Sequence, residues 1–323
     1  VKRGETLVVE ASFEFVRRPD IREFAPYIDR YGQCRYADWP GKVRSDGDLR
    51  RAHEEEMRRL KAWGVPKGYD EFGGYELAGW RERPTGFYRV VKRKGLYWLV
   101  TPKGNPCFYI GVCVAPGLRW PMTPVTGREF IFEWLPPKEG PFKAAWDRNL
   151  WGIKDGTEYV AFHTCNLIRK FGEKWEEMGL RMTRLRLKVW GFSGIGKWGK
   201  MEGLPYIPVL SRGGVPCIAR HPDVFDPNVK AAFRKKLAEQ ILPHKNDPFV
   251  LGWSLGNEFD EIITRQEVLT ILEGKPSPAK GAFVKFALEN IYGGDIQKLA
   301  HSWGVENAKT LDELLGAELR PLP

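Results

Sequence analysis

The dipeptide Asn257-Glu258 closes the run Pro248-Phe-Val-Leu-Gly-Trp-Ser-Leu-Gly-Asn-Glu258. The run is apolar enough to be a buried strand, and its tip carries a carboxylate to a place where a ligand can approach. A partly dry pocket raises a Glu pKa and makes the residue a proton donor near neutral pH. The amide of Asn257 beside it is suited to hydrogen-bond a substrate hydroxyl. By itself the pair is weak evidence, because Asn-Glu after a strand also reads as the start of a helix. Lys197-Trp198 ends a second strand-like run, 192–198, and an indole at a strand end is a face on which a sugar ring can stack. Trp253 lies in mid-strand and reads as core. His221 opens His-Pro-Asp after a third run and is placed to line the same cleft. His163, His244 and His301 have no metal-like spacing, and there is no phosphate-cradling glycine loop and no Gly-x-Ser-x-Gly elbow. The sequence therefore asks for no metal and no cofactor.

Those residues need elements to hold them. A charged helix is expected over about 46–63, with Ser45 or Asp46 as its N-cap. From 86 to 114 the period changes to two. Strands are expected at 87–91, 97–100 and 107–114, separated by Arg93-Lys94-Gly95 and Pro102-Lys103-Gly104-Asn105. The last of these is apolar nearly throughout, as a strand buried on both faces would be. A long helical stretch from about 158 to 190 comes next, broken near Gly172. Strands at 192–198, 206–210 and 249–256 alternate with an Asp226-capped helix at 227–242, and another helix spans 279–292. That alternation predicts a parallel α/β core with its site at the C-terminal strand ends. One link is awkward: seven residues between Trp198 and Tyr206 are too few for a helical crossover, so either it is a bare loop or one strand is misassigned.

Composition narrows the classes. The chain has 323 residues and a formal net charge of +10, with 42% hydrophobic residues, which suits a globular protein able to bury a core. No apolar run reaches the roughly 20 residues of a membrane span. Five scattered cysteines without a Cys-x-x-Cys pair argue against a disulfide framework or a zinc knuckle. Arg and Lys are interleaved with Glu, where a nucleic-acid protein would gather its charge in one stripe, and Arg181-Met-Thr-Arg-Leu-Arg-Leu-Lys188 reads as a solvated helix face. Scarce glutamine beside abundant charge suits a heat-adapted surface. The first residue is Val1, so the natural N-terminus is expected upstream and the compartment is left open.

Several segments carry a resemblance. Tyr31-Gly-Gln-Cys-Arg-Tyr-Ala-Asp-Trp-Pro-Gly-Lys42, Thr85-Gly-Phe-Tyr-Arg-Val90 and Trp98-Leu-Val-Thr-Pro-Lys-Gly-Asn-Pro-Cys-Phe-Tyr-Ile-Gly-Val112 look like the opening of agarase-type glycoside hydrolases. Phe171-Gly-Glu-Lys-Trp175, Trp190-Gly-Phe-Ser-Gly-Ile-Gly-Lys-Trp198 and Asp223-Val-Phe-Asp-Pro227 continue it in register to about Trp303. The chain is similar to glycoside hydrolase family 50 and related members of the clan with a (β/α)8 barrel. The resemblance implies a TIM-barrel-type α/β fold of which this chain supplies roughly the first four strands, after a small β-rich N-terminal segment. It divides the chain into a β-sandwich remnant or edge (1–28), an N-terminal extension (29–95) and half of a catalytic barrel (96–323).

It also implies a function. Glu258 would be the general acid/base of a retaining hydrolase of β-linked glycosides, agar-like or β-glucan-like, and Asn257, Trp198, Lys197 and His221 would contact an oligo- or polysaccharide. Retention needs a second carboxylate about 5–5.5 Å away. The family places it on the seventh strand, and no counterpart is found here, so a second polypeptide completing the barrel is expected as partner. Nucleic acid and membrane are not. Where the family tends to read Gly-Asn-Trp, this chain has Gly196-Lys197-Trp198, which changes the polarity of one subsite. The alternative from another class is a non-catalytic carbohydrate-binding or scaffold subunit that kept the barrel half and lost the chemistry.

Overall fold

A computed structural model of the chain describes Ser12 and residues 20–150, 155–218, 221–256 and 264–320. The strand expected at 7–15 lies, apart from Ser12, outside them. Two compact units are present, and each draws on two separate stretches of chain: Val1–Gly64 with Pro116–Arg186, and Val65–Ala115 with Leu187–Pro323.

In the first unit the charged segment is α1, Asp46–Trp63. Its start is fixed by a reciprocal cap: the Asp48 N–H donates to Ser45 Oγ, and the Ser45 N–H donates to the Asp48 carboxylate. Only Leu49 and Leu60 of this helix are buried. Two more helices, α2 (Phe162–Phe171) and α3 (Trp175–Val189), are separated by Gly172, which takes a left-handed φ of 59°, so the expected break is there. Arg186 on α3 donates from Nε and Nη2 to the two carboxylate oxygens of Glu56 on α1, at 2.6 and 2.7 Å. The start of the long helical stretch is corrected: Glu158–Val160 is a strand, β7. It is the middle of an antiparallel sheet between β5 (Thr123–Pro124) and β6 (Trp146–Arg148). Three residues show no period of their own, and partners distant in sequence fixed their state. Val125, Ile131, Phe132, Ala145, Val160, Phe162 and Cys165 form the core beneath.

The second unit opens with β1 (Arg89–Arg93) and β2 (Leu96–Val100), an antiparallel hairpin. Its two-residue turn is Lys94-Gly95 with φ of 48° and 81°, the sense that matches strand twist. The run 107–114, expected as one strand buried on both faces, is divided. Pro106–Cys107 is β3 and pairs antiparallel with β2, whereas Gly111–Val112 is β4 and pairs parallel with β8, Gly194–Ile195. One straight strand cannot serve both partners. The chain re-aims between them, and Phe108 is left 85% exposed. Its apolar character therefore covers a surface instead of filling a two-sided core.

From β8 the pairing continues. The Ile195 N–H donates to the Pro205 carbonyl at 2.6 Å. Tyr206 then bridges Val250, and Val209 bridges Ser254, as isolated parallel bridges. The runs expected as strands at 206–210 and 249–256 are therefore extended segments touching at single residues. The one expected at 192–198 is reduced to Gly194–Ile195, because its glycines and the turn at 197–198 leave little to pair. The link 199–205 holds a single turn, with the Leu204 N–H donating to Met201, so the awkward crossover is a bare loop. Ala115, Leu187, Ile195, Met201, Leu204 and Tyr206 form the core behind these strands.

Beyond the short pair β9 (Cys217–Ile218) and β10 (His221–Pro222) lies α4, Pro227–Ile241. Asp226 caps it through the N–H groups of Asn228 and Val229, with Pro227 in the first turn as expected. The last helices are α5 (Arg265–Glu273), α6 (Pro278–Asn290), α7 (Ile296–Ser302) and α8 (Leu311–Gly316). They enclose a second core of Leu272, Val284, Leu299, Trp303, Leu314 and Leu319. Within it Lys280 is fully buried and donates to the carbonyls of Gly274 (2.8 Å) and Ala317 (2.6 Å). Burial holds its pKa below the usual lysine value. No helix among the described residues is long and apolar enough to cross a membrane.

Candidate functional site

The parallel pair β4–β8 delivers two C-terminal ends side by side. Past β4 the chain reaches Val114, and past β8 it reaches Lys197 and Trp198. The Val114 N–H donates to the Lys197 carbonyl at 2.9 Å, so the two tips are tied together. Both tips are strained: Val114 has φ of 65° and Trp198 has φ of 60°. A β-branched or bulky side chain in the left-handed region costs about 1–3 kcal/mol, and residues held that way gather at functional sites. Close backbone approach fixes the next stretch of loop. A Cβ on Gly199 would stand 2.0 Å from the Ala115 carbonyl oxygen, so only glycine fits. The Trp198 ring is 50% exposed, and the Lys197 ammonium lies 4.7 Å from its centroid.

Below these tips the strands are pinned by tyrosines. The Tyr109 hydroxyl donates to the Ile195 carbonyl at 2.7 Å, with the Pro205 carbonyl 3.1 Å away, and burial pushes its pKa up. The Tyr206 hydroxyl donates to Asp247 Oδ2 at 2.9 Å and stands 3.0 Å from His244 Nδ1. Burial, and then the bond to Asp247, raise its pKa.

The fourth segment approaches the same end. The Leu210 N–H donates to the Ser254 carbonyl at 2.8 Å, and Ser254 Oγ donates to the Gly256 carbonyl at 2.8 Å. Gly256 has φ of 140° and is the last described residue of the segment. Asn257 and Glu258, expected as the substrate-hydroxyl contact and the acid/base, lie outside the described residues. His221 has a carboxylate partner: its Nε2 is 3.7 Å from Glu267 Oε1, and Glu267 is the buried residue that caps α5 through the Thr264 N–H. Of the expected site residues, the structure thus brings Lys197 and Trp198 together and pairs His221 with the start of α5. Sequence reasoning missed Val114, because a left-handed valine has no sequence signature.

It also missed a cavity of about 1080 Å³ in the second unit, with Tyr69, Trp80, Tyr97, Trp98, Phe108 and Phe192 in its wall. Residues 108–110 and 191–193, which line it, precede β4 and β8. It therefore opens at the N-terminal strand ends, away from Lys197 and Trp198. Its one buried carboxylate, Asp70, is fully engaged, accepting from the N–H groups of Phe72 and Gly74, from Thr101 Oγ1 and from Asn105 Nδ2. Glu71, also in the wall, pairs with Lys103. The two carboxylates of the cavity wall are thus already engaged, and the rest of the wall is largely apolar. Among the described residues no group of three His, Cys, Asp or Glu side chains is arranged to hold a metal ion.

No family model matches the chain. It is similar to beta-agarase B of Vibrio sp. (strain JT0107), 28% identical over 340 residues that cover 90% of this chain and 35% of the agarase. Beta-agarase A of the same strain is 24% identical over 343 residues, covering 88% of this chain and 32% of that one. Among solved structures, the agarase AgWH50C has a TM-score of 0.72 at 23% identity over 94% of this chain and 48% of its own. PfGH50B has a TM-score of 0.75 at 21% identity over 93% and 48%, and an exo-beta-agarase has 0.74 at 22% over 94% and 49%. The chain thus spans about a third of the curated relatives it matches and about half of the solved chains. Together these likenesses support the resemblance to agarase-like glycoside hydrolases of family 50.

Proposed function

We propose, from that resemblance, that this chain is the N-terminal half of a (β/α)8 glycoside hydrolase with retaining chemistry on β-linked galactans of the agar type. The supporting observation is the ordered succession of parallel pairings, 111–112 with 194–195 and 206–209 with 250–254, whose last segment leads to Asn257-Glu258. A carboxylate at a strand tip is where barrel enzymes keep their chemistry. Glu258 protonates the departing glycosidic oxygen while a second carboxylate attacks the anomeric carbon. It then takes the proton of the water that releases the glycosyl-enzyme. Asn257 holds a substrate hydroxyl, and Trp198 stacks on a sugar face.

The second carboxylate and the remaining strands belong to another polypeptide or to a segment outside this sequence. Exposed Leu96, Phe108 and Ile110 around the N-terminal cavity support that reading, since such side chains ask for a cover. Native and denaturing mass spectrometry of the purified protein tests it by seeking a second polypeptide of comparable size. The catalytic reading is tested in the completed enzyme with Glu258→Gln. Turnover of an agarose oligosaccharide, a poor leaving group, is expected to vanish, while a substrate with an activated leaving group keeps its first step. Undiminished hydrolysis of the oligosaccharide removes Glu258 from the mechanism. Sugar binding without hydrolysis in the complete assembly makes the chain a binding subunit.

A further inference from the structure

We infer that the loop 34–44 of the first unit is a carbohydrate-binding surface, on which a neutral galactan chain stacks against Tyr36 and Trp39. The choice of sugar rests on the glycoside-hydrolase reading above, and the site is additional to the strand tips described there. Most of the loop falls within Tyr31–Lys42, a stretch to which the proposed chemistry gives no part. Between 34 and 44 it holds no helix and no strand, only a single bridge from Cys34 to Ile28. Exposed chain of that kind is ordinarily mobile. Here it is tied throughout. Gln33 closes the base: its Nε2 donates to the Val43 carbonyl at 2.8 Å, and its Oε1 accepts the Val43 N–H at 3.0 Å. Lys42 fills the middle, with Nζ donating to the carbonyls of Cys34, Arg35 and Ala37 at 2.9, 3.2 and 2.6 Å. Pro40-Gly41 makes the tip a tight turn, in which the Lys42 N–H donates to the Trp39 carbonyl at 3.1 Å and Gly41 takes φ of 88°.

This frame holds up two rings. Tyr36 is 65% exposed and Trp39 is 39% exposed. The Tyr36 hydroxyl is anchored on the Phe24 carbonyl at 2.7 Å. One ammonium serves both rings: Lys42 Nζ bonds the carbonyls on either side of Tyr36 and lies 5.2 Å from the Trp39 centroid. A pyranose sets its slightly positive C–H bonds on such a π-face, and a frame already fixed loses little freedom when it binds. Beside Trp39 stands a polar flank. Arg44 Nη2 donates to Asp38 Oδ1 at 2.6 Å, the Trp39 N–H donates to the same oxygen at 3.0 Å, and both charged side chains are exposed. A carboxylate and a guanidinium are the acceptor and the donors that sugar hydroxyls need. The charges of this pair cancel, and the Lys42 ammonium is spent on carbonyls, which favours a neutral sugar. Two rings set among backbone carbonyls and a paired charge are too little for a protein interface, which buries about 800 Å² on each side.

Titration calorimetry with an agarose hexasaccharide tests the assignment on the purified protein, with any partner chain it carries, in the Glu258→Gln background where the sugar is not consumed. Tyr36→Ala and Trp39→Ala are each expected to weaken binding about three- to tenfold, the scale of one aromatic contact. Trp39→Phe keeps a platform and should retain most of the affinity. Arg44→Met removes the polar flank and should weaken binding about threefold. Trp63→Ala, at an exposed ring that ends α1, should change nothing. No binding of the hexasaccharide, affinity unchanged in both alanine variants, or an equal loss in Trp63→Ala overturns the inference. A loss in Trp39→Ala that follows a fall in its urea midpoint and is not spared in Trp39→Phe makes the ring a structural part of the loop and overturns it too. So does release of a bound second polypeptide by Trp39→Ala in native mass spectrometry, which makes the loop a protein contact. The two readings fail separately. Loop-dependent binding by a protein that hydrolyses nothing sinks only the catalytic role, and Glu258-dependent hydrolysis with loop variants that bind like their parent sinks only this site.

Discussion

The ion pair between α1 and α3 in the first unit gives a quantitative test. Arg186 and Glu56 meet in a two-pronged geometry at 2.6 and 2.7 Å, with 26% and 21% of their side chains exposed. The bonds from Arg186 hold the Glu56 carboxyl below its ordinary range, against the opposing effect of burial. His53 on the same helix is held below the usual histidine value, first by burial and then by the charge of Lys170. Glu56 is therefore a negative group facing the cations Arg186 and Lys170, with His53 beside it. Arg186→Gln removes one partner and leaves a partly buried carboxylate, at a cost of about 2 kcal/mol. Glu56→Gln leaves Arg186 and Lys170 without this counter-charge and is expected to cost more, about 3 kcal/mol. The double variant should be less destabilised than the sum of the singles by about 1–2 kcal/mol.

Urea unfolding monitored by near-ultraviolet circular dichroism reads these differences at pH 7. The directions of the two shifts set the sign of the pH dependence. A depressed carboxyl contributes stability that is present above its unfolded value, near 4.5, and is lost as the pH falls through the folded value. A depressed histidine costs stability once the pH drops below its unfolded value, near 6.5. Wild type should lose stability progressively from about pH 7 to about pH 4, and Glu56→Gln should flatten the limb below about pH 5. Coupling under about 0.5 kcal/mol, or an unchanged acid limb in Glu56→Gln, refutes the reasoning.

Two further substitutions probe other parts of the chain. Lys280→Met strips the buried Gly274 and Ala317 carbonyls of their donor and is expected to cost about 3 kcal/mol in urea unfolding; equal or higher stability would show that burying the ammonium outweighs its bonds. Lys94→Asn places a residue that tolerates the left-handed region at φ of 48° in the β1–β2 turn and should stabilise the second unit by about 0.5 kcal/mol, seen as a higher urea midpoint.

Local signals were legible wherever they sufficed. The Ser45 and Asp226 caps, the Lys94-Gly95 turn and the break at Gly172 depend on side chains within a few residues, and each stands where the sequence puts it. The run 107–114 was misread because apolarity does not say whether a residue meets a core or an open face, and its partners, Leu99 and Gly194, lie on opposite sides of it in sequence. The β5–β7–β6 sheet left no trace, since strands of two or three residues are too short for a period. At the candidate site, the residue types of Lys197 and Trp198 were readable. Their juxtaposition was not, because it depends on a backbone angle that most tryptophans avoid.

The interleaving of the two units has a bearing on how the protein is made. The ribosome releases the chain from its N-terminus, yet the first unit needs α2 and α3, which emerge only after the whole 65–115 insertion. The second unit needs β8 to pair with β4, some eighty positions earlier. Neither unit can close until its later stretch of chain has been made, so vectorial synthesis does not finish one of them before the other has begun. The hairpin β1–β2 and its exposed aromatic residues are made well before the stretch from Leu187 that completes their unit. Slow closure of distant contacts with apolar surface on show is the condition in which chains aggregate, so recovery of this protein should depend on chaperones and on the pace of translation.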